Sequence, residues 1–114
     1  MHELGVVVHV IKQVEDVAKK NDVKQVKEIT LEVGEVSGIV KQYFLDAFEW
    51  AKKKSEYLKD TTLNFIILKA VTYCEDCGQT YGTVEHGITC PYCGSENTYL
   101  VTGNGVSIKD IKVI

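Results

Sequence analysis

Four cysteines fall in two short runs, Cys74-Glu75-Asp76-Cys77-Gly78 and Cys90-Pro91-Tyr92-Cys93-Gly94, with twelve residues between the pairs. They are all the cysteines the chain has. Four thiolates at this spacing can converge on one ion as a tetrahedral all-sulfur set, the geometry of structural zinc. Each glycine after a second cysteine lets the chain turn sharply, so that backbone amides can approach sulfur. A different chemistry is available at the other end, where the chain begins Met1-His2-Glu3. If the His2 amide deprotonates on binding, it closes a five-membered chelate with the α-amino group and a six-membered one with the imidazole. Tetragonal nitrogen sites of this kind select Ni(II) or Cu(II), whereas zinc prefers a tetrahedron. Glu3 adds a nearby oxygen, or a partner that orients the imidazole. Taken alone, a histidine at the second position is more often a solvated side chain.

The cysteine pattern has three competing readings. Two disulfides would close small, strained loops, and the N-terminus has no resemblance to a secretory signal. A redox dithiol needs a single pair. Iron is the stronger competitor, because Cys-x-x-Cys-Gly with Cys-Pro-x-Cys-Gly also resembles rubredoxin and sulfur geometry does not separate the two metals. The short spacer and the large remainder of the chain favour a zinc ribbon.

The elements that must carry these groups follow from periodicity. Leu4, Val7, Val8, Ile11, Val14 and Ala18 recur at helical spacing, widened by Val6, Val10 and Val17, which predicts an amphipathic first helix ending near Asn21. Ile29, Leu31 and Val33 alternate with polar neighbours, the period of a half-buried strand. Gly34 and Gly38 bracket a turn, and Val40, Phe44, Ala47, Phe48 and Ala51 form the apolar stripe of a second helix closed by Lys52, Lys53 and Lys54. Leu63 to Val71 is apolar at nearly every position and predicts a strand buried on much of both faces, running into Cys74. Thr98 to Val101 reads as a short ribbon strand, Gly103-Asn104-Gly105 as a turn, and Val106 to Ile114 as a last strand whose phase shifts at Asp110-Ile111. That last strand returns to the first two. The predicted fold is therefore α+β: two helices packed on a three-stranded sheet, with an inserted four-cysteine zinc-ribbon module. The domains are residues 1–71 plus 104–114, and 72–103.

With 114 residues, 45% hydrophobic and 25% charged, the chain has the composition of a soluble globular protein. A formal charge of −3, with both signs interspersed, argues against nucleic acid as a partner. No apolar run reaches the length of a membrane span, so the expected location is cytoplasmic.

The opening Met1-His2-Glu3-Leu4, the run Leu31-Glu32-Val33-Gly34-Glu35-Val36-Ser37-Gly38, the two cysteine pairs and the closing Ile108-Lys109-Asp110-Ile111-Lys112-Val113 together resemble the HypA family of hydrogenase nickel-incorporation proteins. The resemblance runs the whole length of the chain. It implies a nickel metallochaperone and not an enzyme, with Ni2+ held weakly as cargo at Met1, His2 and Glu3 and a structural Zn2+ at Cys74, Cys77, Cys90 and Cys93. It implies a HypB-type GTPase as partner and the large subunit of [NiFe] hydrogenase as recipient, with homodimerisation left open. The chain offers no nucleophile with a placed base and no phosphate loop, so GTP hydrolysis falls to the partner. Gly5 departs from the small Ser or Ala usual in the family and loosens the first helical turn. Some relatives add an imidazole from the zinc segment; here that segment has only His86, which reads as a loop residue, while His9 reads as packing or surface. The alternative is a zinc-ribbon module for protein interaction or nucleic-acid binding without nickel, and a further one is an iron electron carrier in the same cysteine cage.

Overall fold

The structure is a computed structural model and describes residues 3–114; the Met1 and His2 assignments lie outside the described residues. In chain order the elements are α1 (Glu3–Lys20), β1 (Val26–Gly34), α2 (Lys41–Lys52), β2 (Thr62–Leu68), β3 (Val71–Cys74), β4 (Thr80–Gly82), α3 (Thr83–His86), β5 (Thr98–Thr102) and β6 (Val106–Val113). They form two three-stranded sheets, ordered β2-β1-β6 and β4-β3-β5. The expected α+β class holds, including the return of the last strand to the first two.

By packing, the chain divides into two compact units, one reaching to Glu32 and adding Ile39–Ile66 and Ser107–Ile114, the other made of Val33–Gly38 and Ile67–Val106. In the first, α1 buries Val7, Val10, Ile11, Val14 and Ala18, one stripe of the cylinder, and α2 buries Phe44, Phe48 and Ala51. With Ile29, Leu31 and Leu58 these side chains are the core of that unit. Each large one contributes roughly 1.5–3 kcal/mol by leaving water, which holds a helix as rich in β-branched valine as α1. Helix α1 stops where Asn21 donates its side-chain amide to the Val17 carbonyl at 2.8 Å and Asp22 takes a positive φ of 53°.

Strand directions follow from hydrogen bonds at the two ends of β1. Ile114 N–H donates to Gln25 O at 3.0 Å and Gly34 N–H to Gly105 O at 2.8 Å, so β6 is antiparallel to β1. Thr61 Oγ1 donates to Val26 O at 2.7 Å and Glu35 N–H to Leu68 O at 2.8 Å, so β2 is parallel to β1 with α2 in the crossover.

The run from Leu63 to Val71 departs from expectation. It is two strands in two sheets, broken at Lys69-Ala70, and β2 is an edge strand with Ile66 37% and Ile67 56% exposed rather than one buried on both faces. The buried central strand is β1. The break has a long-range cause: the Ala70 N–H leaves the ladder and donates to a Glu35 carboxylate oxygen at 2.9 Å. On α1 the expected stripe is buried at Val7, Val10, Ile11, Val14 and Ala18, but Leu4, Val8 and Val17, also expected on the apolar face, are exposed. Val40 is the exposed residue just before α2 instead of part of its buried stripe. On β6 the half-buried positions are Val106, Ile108 and Ile111, so the expected change of phase before Ile111 is present.

Two glycines let three backbone segments meet at the base of the second unit. Gly103 sits at φ +111°, and a Cβ there would lie 2.5 Å from Ala70 Cα; a Cβ on Gly34 would lie 2.0 Å from the Gly103 carbonyl oxygen. Both contacts are with backbone and cannot swing aside. Gly103→Ala is expected to destabilise the protein by about 2–4 kcal/mol, combining backbone strain and overpacking, whereas Gly105→Ala, whose Cβ would meet nothing within 4 Å, stays within about 0.5 kcal/mol of the parent. Denaturant titration checks both, and equal midpoints for the two variants would contradict the packing argument.

Candidate metal centre

Strand β3 ends in Cys74 and delivers it, buried, to one side of the β4-β3-β5 sheet. Its register is fixed by Val71, Thr72 and Tyr73 pairing with Gly82, Tyr81 and Thr80, and by Tyr73 and Cys74 pairing with Tyr99 and Thr98. The chain then folds into two turns of the same build. In the first, Gly78 N–H donates to Cys74 O and Cys74 N–H to Gln79 O; in the second, Gly94 N–H donates to Cys90 O and Cys90 N–H to Ser95 O, all four at 2.9 Å. Both glycines occupy the left-handed region, at φ +74° and +76°, where a side chain would be strained. Their place after the second cysteine of each pair predicts such sharp turns.

The outcome is a cluster of four sulfurs within 4.8 Å of one another, from Cys74, Cys77, Cys90 and Cys93. Cys74 and Cys90 are buried, Cys77 and Cys93 exposed. Sγ of Cys74 stands 3.6 Å from that of Cys93, and Sγ of Cys77 3.6 Å from that of Cys90. A tetrahedron with metal–sulfur bonds of about 2.3 Å has edges of about 3.8 Å, so the four donors fit one ion and leave no open coordination position. A disulfide needs sulfurs about 2.0 Å apart; all four thiols are free, which removes the two-disulfide reading.

Amide donors surround the sulfurs. Burial raises the Cys90 thiol, but the amides of Cys93 and Tyr92 and the thiols of Cys77 and Cys93 outweigh it and bring it down to about 7. At Cys93 the Ser95 amide pulls the other way, and burial with the neighbouring Cys74, Cys90 and Cys77 thiols prevails, pushing it up to about 12. The Cys77 thiol is also raised, the Gln79 amide being overcome by burial and the Cys90 and Cys74 thiols. Four sulfurs so close cannot all hold negative charge without a cation among them, so metal binding expels the remaining protons.

Side chains outside the cysteine pattern brace the two turns. Ser95 Oγ donates a short hydrogen bond to Asp76, whose other oxygen accepts from Asn97 Nδ2 at 3.4 Å, and Glu75 N–H donates to Asn97 O at 3.0 Å. Among the described residues Tyr81, 6% exposed, is the ring buried with Cys74 and Cys90, and its hydroxyl donates to Gly87 O at 2.9 Å. Tyr73 and Tyr99 pair across the strands with centroids 5.4 Å apart. Sequence reasoning did not single out Asp76, Ser95 and Asn97; the available signal was an acidic residue inside the first cysteine pair and a hydroxyl and an amide just after the second.

The histidines fall as follows. His86 is the last residue of the four-residue α3, not a loop residue, exposed and edge-on to the Tyr81 ring at 5.8 Å. His9 is exposed on α1. Glu3 opens α1 and is buried; its Oε2 accepts the Val40 N–H at 3.0 Å.

Comparison with known proteins gives one consistent result. A family model described as hydrogenase/urease nickel incorporation, metallochaperone, hypA matches residues 1–113. The chain is 29% identical to the hydrogenase/urease maturation factor HypA of Helicobacter pylori, with 100% of this chain and 98% of the relative covered. It is 31% identical to the hydrogenase maturation factor HypA of Chlorobium phaeobacteroides, with 99% of each covered. Among solved structures it is similar to the solution structure of the nickel metallochaperone HypA from Helicobacter pylori, with a TM-score of 0.78 at 29% identity over 100% of this chain and 98% of that one.

Proposed function

The chain belongs to the HypA family of hydrogenase/urease nickel-incorporation metallochaperones, and from that premise we propose that it carries Ni(II) as cargo at Met1, His2 and Glu3 while Zn2+ stays in the Cys74, Cys77, Cys90 and Cys93 set. The nickel belongs to the domain of residues 1–71 plus 104–114 and the zinc to residues 72–103. The protein catalyses no reaction itself. It works in the cytoplasm with a HypB-type GTPase and passes nickel to the large subunit of [NiFe] hydrogenase. No helix among the described residues is long and apolar enough to cross a membrane.

The observation that carries this reading is the single family match spanning both metal-bearing ends, the Met1-His2-Glu3 start and the second cysteine pair. The chemistry supports a division of labour between them. Four thiolates leave a zinc ion no vacant position, which suits a structural role. An amine, an amide and an imidazole at the head of a chain form a flat set of nitrogens selective for Ni(II), with faces open to a partner's ligand.

The test is a nickel titration of the untagged, zinc-loaded protein across pH. The imidazole and the α-amino group, with reference values of about 6.5 and about 7.7–8, must each shed a proton to ligate. Protonated nitrogens cannot bind, so nickel affinity is expected to fall as pH drops from about 8 through 6, by about tenfold per pH unit for each proton taken up. An isotherm unchanged between about pH 8 and 5.5 would contradict the ligand set, and absence of nickel binding at any pH would leave the zinc-ribbon interaction module as the reading.

A further inference from the structure

The chain has four asparagines, Asn21, Asn64, Asn97 and Asn104, and only the last is followed by glycine. The side-chain amides of the first three are held, Asn21 by the Val17 carbonyl at 2.8 Å, Asn64 by the Glu28 carboxylate at 2.6 Å and Asn97 by the Asp76 carboxylate at 3.4 Å. Among the described residues Asn104 is the asparagine whose side chain makes no hydrogen bond. Asn104 and Gly105 are both exposed, in the turn between β5 and β6. The Gly105 N–H likewise has no partner among the described residues, and a Cβ on Gly105 would meet nothing within 4 Å.

This placement suits a reaction that needs no enzyme. Hydroxide takes the proton from the Gly105 N–H, and that nitrogen attacks Asn104 Cγ. The new N–Cγ bond closes a five-membered imide; the Cγ–Nδ2 bond breaks, and Nδ2 leaves as ammonia after taking a proton from water. Water then adds to one of the two imide carbonyls. Addition at Cγ gives aspartate, and addition at the main-chain carbonyl gives isoaspartate, whose main chain runs through Cβ and Cγ. A hydrogen bond to either nitrogen would have to break first, and a side chain at position 105 would crowd the approach. Neither obstacle is present at Asn104.

The turn has little room for the longer main chain. Gly103 O accepts the Val36 N–H and Gly105 O accepts the Gly34 N–H, both at 2.8 Å, so the backbone on each side of Asn104 is tied to the Gly34–Val36 segment. A Cβ on Gly34 would lie 2.7 Å from Asn104 N, so the two segments already touch. All of these residues belong to the unit made of Val33–Gly38 and Ile67–Val106. An extra main-chain carbon between two tied carbonyls has to lengthen or break one of the bonds.

We propose that Asn104 is a site of spontaneous covalent modification, at which the Gly105 nitrogen displaces ammonia and the isoaspartate product loosens the bonds between the β5–β6 turn and the Gly34–Val36 segment. The reaction involves neither metal nor partner.

The test ages the zinc-loaded native protein and Gly105→Ala in mildly alkaline buffer beside a peptide of residues 100–108. Peptide mapping that separates asparagine, aspartate and isoaspartate follows each position. Asn104 in the folded protein is expected to convert within about tenfold of the peptide's rate, because the turn does not have to open first. It should outpace Asn21, Asn64 and Asn97, and its rate should rise with pH. Gly105→Ala is expected to convert slower by about tenfold or more, a Cβ crowding the attacking nitrogen. The isoaspartate fraction is then unfolded with denaturant beside Asn104→Asp, which carries the same charge on a main chain of ordinary length. The isoaspartate fraction is expected to unfold at the lower concentration. Native Asn104 left intact while the peptide converts, or an undiminished rate in Gly105→Ala, would overturn the site. Equal unfolding midpoints for the isoaspartate fraction and Asn104→Asp would overturn the loosening.

Discussion

Replacing Cys90 by alanine is expected to release the zinc and unfold the ribbon while the far-UV signal of α1 and α2 persists. The reason lies in how little else the ribbon buries. Its buried cluster among the described residues is Cys74, Tyr81 and Cys90, so two of its three members belong to the four-sulfur set and no aliphatic side chain joins them. Zinc binding in modules of this kind supplies on the order of 10 kcal/mol of folding free energy, more than one tyrosine can replace. The unit containing α1 and α2 has its own core of Val7, Val14, Ile29, Leu31, Phe44, Phe48 and Leu58, each at most 1% exposed. Removing Cys90 also strands the Cys77 sulfur that stands 3.6 Å away. Elemental analysis and circular dichroism of Cys90→Ala check this directly. Full zinc content in the variant, or iron in the native protein, would contradict the assignment, as would collapse of the whole helical signal.

The parts of this protein legible in its sequence are those whose causes are local. Two Cys-x-x-Cys-Gly runs announce two identical turns, because the same glycine conformation recurs wherever amides must face sulfur. The stripe Phe44, Phe48 and Ala51 was readable for the same reason, as a helix places i, i+4 and i+7 on one face. What was not legible depends on partners far along the chain. Leu63 to Val71 looks like one strand, and only the Glu35 carboxylate capturing the Ala70 N–H, with Gly103 pressed against Ala70, divides it. Helix α3 and strand β4, four and three residues long, are shorter than any period that could reveal them. Glu3 could be suspected from its place in the opening tripeptide, but its bond to Val40 closes over 37 residues, and no local pattern encodes that.

The same contrast makes the N-terminus the place for the second large effect. Adding Gly-Ser ahead of Met1 leaves every side chain in place and changes one atom's chemistry: the α-amino nitrogen becomes an amide, without a basic lone pair and no longer at the head of a five-membered chelate. If nickel is held by that amine with the His2 amide and imidazole, affinity is expected to collapse by at least about 100-fold, since a lost nitrogen donor also opens the rings its neighbours share. His2→Ala, which deletes the imidazole instead, is expected to match it. Zinc content, helix signal and melting temperature should stay near native in both, because neither change touches the four cysteines or the buried side chains of the described residues. The two altered proteins together separate a terminal chelate from a site built of side chains. An extended protein that bound nickel as tightly as the native one would show that the donors lie elsewhere in the chain, with the Glu3 carboxylate and the exposed His86 imidazole the groups to replace next. An N-terminal mass confirming that Met1 is retained in the native chain completes the comparison, because the amine must belong to Met1 for the ring sizes to hold.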